Sequence, residues 1–140
     1  IAWGAIGAAI VCFETALNYG LERIAFGKPI AATQLFQDKL TEMTTKIING
    51  QLLALHYGRL KDKGQLTPVQ VSLIKRHNVR AAREIAIDAR GMLGAIGITD
   101  AYPVIRHLMN IESVFTYEGT HEVHKLAVGR ALTGHNAFGA

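Results

Sequence analysis

The chain has 140 residues, of which 49% are hydrophobic and 19% charged. That size and balance fit one soluble globular domain with a sizeable core. The net charge is +4, yet the basic residues form no dense run and have no interleaved aromatics, which excludes a nucleic-acid-binding reading.

Residues 1–25 read as a first helix, with Gly4, Ala5, Gly7, Ala8 and Ala9 allowing close helix contact. Its uncharged opening, residues 1–13, is too short and too rich in Ala and Gly to span a bilayer. It also lacks the basic start of a signal peptide. Because the chain begins at Ile1 and not at Met, it reads as a piece of a longer protein. The single Cys12 rules out an internal disulfide and suits a reducing compartment. It reads as a small packed residue.

Phe26-Gly27-Lys28-Pro29 ends the first helix. A second helix is expected over residues 33–61, with Phe36, Leu40, Met43 and Ile47 stepping along one face. After a break at residues 63–66, Thr67-Pro68 marks a helix start: a hydroxyl N-cap, then proline in the first turn. This third helix runs to about residue 93, with Val71, Ile74, Asn78, Ala81, Ile85, Asp88 and Met92 on one stripe. Residues 94–97 end it. Asp100 and Pro103 open a shorter fourth helix through about residue 112. A last helix spans 120–132 and Gly134 closes it. No stretch alternates with period two, so no sheet is expected. The fold class is therefore all-α: residues 1–140 as one up-down bundle of the four-helix type.

Between the last two helices lies Thr116-Tyr117-Glu118-Gly119-Thr120. Here a carboxylate sits between a ring that can shield it and a glycine that lets a ligand come close. Apolar surroundings raise its proton affinity, while the helix that follows favours the anion. A base held between those pulls suits removal of a weakly acidic C–H proton. The bland alternative is a surface carboxylate near a helix start. His121 and His124 lie three apart, but no third ligand is placed by spacing, so no metal site is expected.

The turn Tyr117-Glu118-Gly119-Thr120 followed by a helix resembles the catalytic segment of the acyl-CoA dehydrogenases. Arg23-Ile24-Ala25-Phe26-Gly27-Lys28-Pro29-Ile30 with Gln34 resembles that family's arginine-phenylalanine-glycine turn. Arg90-Gly91-Met92-Leu93-Gly94 with Gly97 is similar to its glycine-bearing helix end. The stretches at residues 58–62, 105–110 and 129–134 are most similar to the glutaryl-CoA dehydrogenase branch. The likeness covers nearly the whole chain and concerns the C-terminal helical domain of these flavoenzymes. The N-terminal helical and middle β domains are not in this sequence.

The resemblance implies FAD as cofactor and an acyl-CoA substrate desaturated between its α and β carbons. In the glutaryl branch, decarboxylation to crotonyl-CoA and CO2 follows. It implies Glu118 as catalytic base, with Tyr117 and Gly119 at the substrate. Thr120, His121 and Glu122 would meet the flavin beside the base. Arg23, Phe26, Gln34, Gly91, Met92, Leu93, Gly94 and Ala95 would reach the flavin of a neighbouring subunit, and Phe138 would add a contact near the chain end. Where the family has paired glycines this chain has Gly94-Ala95, whose extra methyl could crowd a ligand. The implied partners are an electron-transfer flavoprotein-type acceptor and further copies of the chain, as a dimer or tetramer. The implied location is cytoplasmic in a bacterium, or the mitochondrial matrix in a eukaryote. The isolated piece is expected to be inactive. Two alternatives stand beside this reading: a dehydrogenase for another short acyl-CoA, and a non-catalytic helical association module.

Overall fold

A computed structural model describes residues 1–139. Five helices carry the architecture: α1 (Ala2–Glu22), α2 (Gln34–Asp62), α3 (Pro68–Met92), α4 (Val104–Thr116) and α5 (His121–Thr133). Helix α3 is the central element and packs against each of the other four. Its start is the one the sequence marks. The Thr67 hydroxyl accepts from the Gln70 N–H, and the Gln70 side chain accepts in return from the Thr67 N–H at 2.8 Å. This reciprocal pair satisfies two donors that a helix N-terminus otherwise leaves orphaned.

The core is continuous. Ala5, Ile6, Ala9, Cys12 and Ala16 of α1 meet Val79, Ala82, Ile85, Ala86 and Ala89 of α3, with Met43 and Ile47 from α2 and Val104 and Ile111 from α4. Small residues on both α1 and α3 let the two backbones approach closely. Gly50 extends the same logic to α2: a Cβ there would lie 2.4 Å from the Ile6 side chain. Burial pushes the Cys12 thiol up to about 12, so it stays protonated and packs as a small apolar group. By length and composition alone α1 could cross a membrane. In this fold its small-residue stripe lies in the bundle core.

The structure corrects four expectations. First, there is a small sheet. Ile24–Ala25 (β1) and Lys28–Pro29 (β2) pair antiparallel around Phe26 (φ 53°) and Gly27 (φ 78°). Two successive positive φ values give the tight primed turn that matches strand twist. Two-residue strands are too short to show alternation, and phenylalanine is not a residue that announces positive φ. Second, α1 stops at Glu22, because the chain turns into β1.

Third, α4 runs four residues further than expected, to Thr116, whose hydroxyl bonds back to the Glu112 carbonyl at 3.0 Å. Fourth, the buried face of α3 is wider than the expected stripe and offset from it. Lys75, Val79, Ala82, Ala86 and Ala89 lie within it, whereas Val71 is exposed. A helix packed against four others cannot bury one narrow stripe. Asn78 is fully buried and donates to the Gly50 carbonyl at 3.0 Å and the Ala2 carbonyl at 3.3 Å, tying α3 to both neighbours. Asp88 pairs with Lys39 of α2.

Candidate active site

The turn between α4 and α5 is built around two residues in the left-handed region, Glu118 (φ 54°) and Gly119 (φ 89°). Such a φ is uncommon for glutamate and must be held by its surroundings. Tyr117 caps α4, its N–H donating to the Ser113 carbonyl at 2.9 Å. Thr120 caps α5, its hydroxyl accepting from the Val123 N–H at 3.2 Å. The Glu118 carbonyl lies 3.2 Å from Nε2 of His124. Lys75, reaching across from α3, donates to the Tyr117 carbonyl at 2.9 Å and the Gly119 carbonyl at 2.7 Å. Among the described residues no hydrogen bond takes up the Glu118 N–H.

Glu118 lines a cavity of about 630 Å³, formed by the N-terminal end of α1, the C-terminal end of α2 and the first turns of α3. Ala2, Trp3, Ala54, Leu66 and Ile74 give it an apolar wall. Its ionisable groups are Glu118, Lys61, Lys75, His124 and Tyr57. This is the shape of a small-molecule site: a mostly apolar concavity with few convergent polar groups. Tyr117 is half exposed and Glu118 is exposed at the rim. Within this chain the tyrosine ring therefore does not shield the carboxylate as the sequence suggested. Gly119 has a reason beyond ligand access. A Cβ there would come within 2.9 Å of the His124 ring, at a φ that L-residues rarely adopt.

The flavin residues implied by resemblance fall into two groups. Thr120, His121 and Glu122 open α5 directly beside Glu118. His121 is buried, stacks on Phe115 at 4.5 Å and leaves its Nδ1 without a partner. It lines a cavity of about 240 Å³ with Arg80, Arg83 and Lys125. The free N–H groups of that helix start suit an anionic group. The second group collects at the opposite end of the bundle, where α1 ends, α2 begins and α3 ends. Gly91 and Met92 line a cavity of about 290 Å³ with Thr33, Leu35 and Phe36. Arg23 and Gln34 are exposed there, and Phe26 is 97% exposed.

Lys75 and Gly91 are sixteen residues apart on α3, so the two ends are separated by roughly 24 Å at 1.5 Å per residue. One copy of the chain therefore does not bring both groups together. Leu93 is packed in the core. Gly94 has φ 65°, whereas Ala95 lies in the 3-10 turn Gly94–Ile98 outside the positive-φ region. The alanine thus needs no glycine-like backbone. Phe138 is half exposed near the C-terminal end.

His121 makes the site's stability depend on pH. Burial holds its imidazole below the ordinary value of 6.5, and the charges of Lys125 and Arg76 push the same way. A depressed folded pKa means that the unfolded chain binds the extra proton first. The stabilisation is therefore complete above 6.5 and lost as pH falls through the folded value. The melting temperature should fall between pH 7.5 and 5, and His121→Phe should fall less steeply. The remaining slope includes His107, which burial and Arg106 also hold low. Identical slopes in the two proteins would refute the assignment to His121.

The sequence matches the family model described as "Acyl-CoA dehydrogenase, C-terminal domain" over residues 1–133. The chain belongs to the acyl-CoA dehydrogenase family. An acyl-CoA dehydrogenase of Bacillus subtilis is 34% identical over 134 residues, 96% of this chain and 35% of that protein. The crystal structure of a glutaryl-CoA dehydrogenase from Mycobacterium smegmatis superposes with a TM-score of 0.96 at 58% identity, covering 99% of this chain and 36% of that one. A second Mycobacterium smegmatis glutaryl-CoA dehydrogenase, solved in complex with FADH2, gives 0.96 at 49% identity, covering 98% of this chain and 36% of that one. The chain thus spans about a third of the length of the acyl-CoA dehydrogenases it matches. Lys75 has no role in the sequence reading, and His124 enters it only as half of a possible metal pair, not as the contact of the Glu118 carbonyl. The available signal for Lys75 was its register: it sits one helical turn before Val79 and two before Ala82, a lysine at a core position.

Proposed function

We propose that this chain carries the catalytic base of an FAD-dependent acyl-CoA dehydrogenase whose substrate is glutaryl-CoA. The carrying observation is Glu118 on the rim of the apolar cavity, held by two flanking carbonyls that Lys75 binds. Glu118 removes the α proton of the thioester. Its own N–H, without a partner among the described residues, is available to the thioester oxygen as negative charge develops there. FAD, when bound, accepts the β hydrogen as hydride. Residues that would hold it are Thr120, His121 and Glu122 at the start of α5, and Arg23, Phe26, Gln34 and Gly91–Ala95 toward the flavin of another copy. The unpartnered Nδ1 of buried His121 and the fully exposed Phe26 fit such roles. Phe26 and Leu35, 82% exposed, also favour association of copies through that end of the bundle.

The substrate assignment is supported by the 58% identity to a glutaryl-CoA dehydrogenase. On this reading the dehydrogenated product loses its distal carboxylate to give crotonyl-CoA and CO2. The electrons pass to an electron-transfer flavoprotein-type acceptor, in the cytoplasm of a bacterium or the matrix of a mitochondrion. The test is a substrate panel on the full-length protein. Glutaryl-CoA should bleach the flavin fastest and release CO2. Faster bleaching by butyryl-CoA without CO2 release would overturn the substrate assignment and leave a short-chain acyl-CoA dehydrogenase.

A further inference from the structure

We propose that Lys75 is a positioning residue for the catalytic turn: its ammonium clamps the carbonyls on either side of Glu118 and so fixes where that carboxylate sits. The proposal rests on Glu118 being the base. Lys75 is 5% exposed, and lysine is almost never buried so fully unless paired. Its Nζ bonds the carbonyls of Tyr117 and Gly119 at 2.9 and 2.7 Å, 42 and 44 residues away in sequence. The residue between those two carbonyls is Glu118.

The turn itself is exposed at Tyr117 and Glu118, so water could satisfy its carbonyls. Burying an ammonium carries a desolvation cost that such satisfaction does not require. What the lysine adds is geometry. The positive φ values of Glu118 and Gly119 direct two carbonyls toward α3, while the Glu118 carbonyl faces His124 instead. With the backbone held on both sides, the Glu118 side chain is left to the cavity. Burial pulls the Lys75 ammonium below the ordinary lysine value, and the Glu118 carboxylate pulls it back up. The cation and the base thus share one field.

The experiment uses the full-length, flavin-loaded protein with three variants: Lys75→Met, Lys75→Arg and Glu118→Gln. Thioester affinity, rate of flavin reduction and the isotope effect with α-deuterated substrate are measured for each. For Lys75→Met we expect a rate loss of about a hundred-fold, the scale of a 1 Å misplacement. Affinity should be unchanged and the isotope effect larger, because a displaced base makes proton removal slower. Lys75→Arg keeps the charge and donors at a different length and should recover part of the rate. Should Lys75→Met fail to accumulate with flavin, Lys75→Arg decides: reduced rate at full affinity supports the proposal. Wild-type rates in the lysine variants, or equal losses in rate and affinity, overturn it. The Glu118→Gln arm separates the two claims. If it is inactive while both lysine variants are normal, only the role of Lys75 fails. If it reduces flavin normally, the base assignment itself fails.

Discussion

Gly97→Ala is expected to destabilise the domain by about 3 kcal/mol, the upper end of what overpacking costs. Gly97 is buried where the 3-10 turn Gly94–Ile98 folds back on the last turn of α3. A Cβ there would lie 2.3 Å from the Arg90 carbonyl oxygen and 3.1 Å from Cβ of Leu93. The first is backbone, which cannot rotate away, and Leu93 is itself held in the core. Relief requires the turn to lift from α3, which opens the core around Leu93 and displaces Gly91 and Met92. For a domain of this size that loss corresponds to roughly 10 °C in melting temperature. Gly129→Ala in α5 is the matched control, since nothing lies within 4 Å of the added methyl. By helix propensity alone it should hold or raise stability by up to about 1 kcal/mol. A Gly97→Ala protein that melts with the wild type would show that the turn does not pack as described.

Much of this fold could be read from local signals. Thr67-Pro68 announced α3, and Phe36, Met43 and Ile47 announced the buried face of α2, because capping chemistry and helical period act over a few residues. The hairpin at residues 24–29 is not legible in the sequence because its decisive feature is a backbone angle at Phe26, not a composition. The extension of α4 to Thr116 is hard to read because its last turn, Ser113-Val114-Phe115-Thr116, is made of residues of weak helix propensity and is held by core packing of Val114 and Phe115. The site divides in the same way. Glu118 and its neighbours form one contiguous motif and were legible. Lys75 acts on that motif from 42 residues away, and no local pattern encodes such a distance. The requirement for glycine at 20, 50 and 97 is likewise set by what lies opposite: Phe36, Ile6 and the Arg90 carbonyl.

Glu118→Gln in the full-length protein should remove nearly all dehydrogenation while sparing thioester binding. The amide keeps the side chain's size, the positive φ can be held by the same Lys75 and His124 contacts, and the backbone N–H is unchanged. What is lost is the ability to take a proton. General-base catalysis is worth about a hundred- to ten-thousand-fold. The loss should sit at the upper end, because without α-proton removal no electron density develops to expel the β hydrogen as hydride. Glu118→Asp should be intermediate, its carboxylate short by one methylene. The decisive measurement is anaerobic mixing of the flavin-loaded Glu118→Gln protein with glutaryl-CoA, following flavin absorbance beside a binding titration. The account predicts normal binding with flavin that stays oxidised over many wild-type half-times; reduction at a near-normal rate would place the base elsewhere and contradict it.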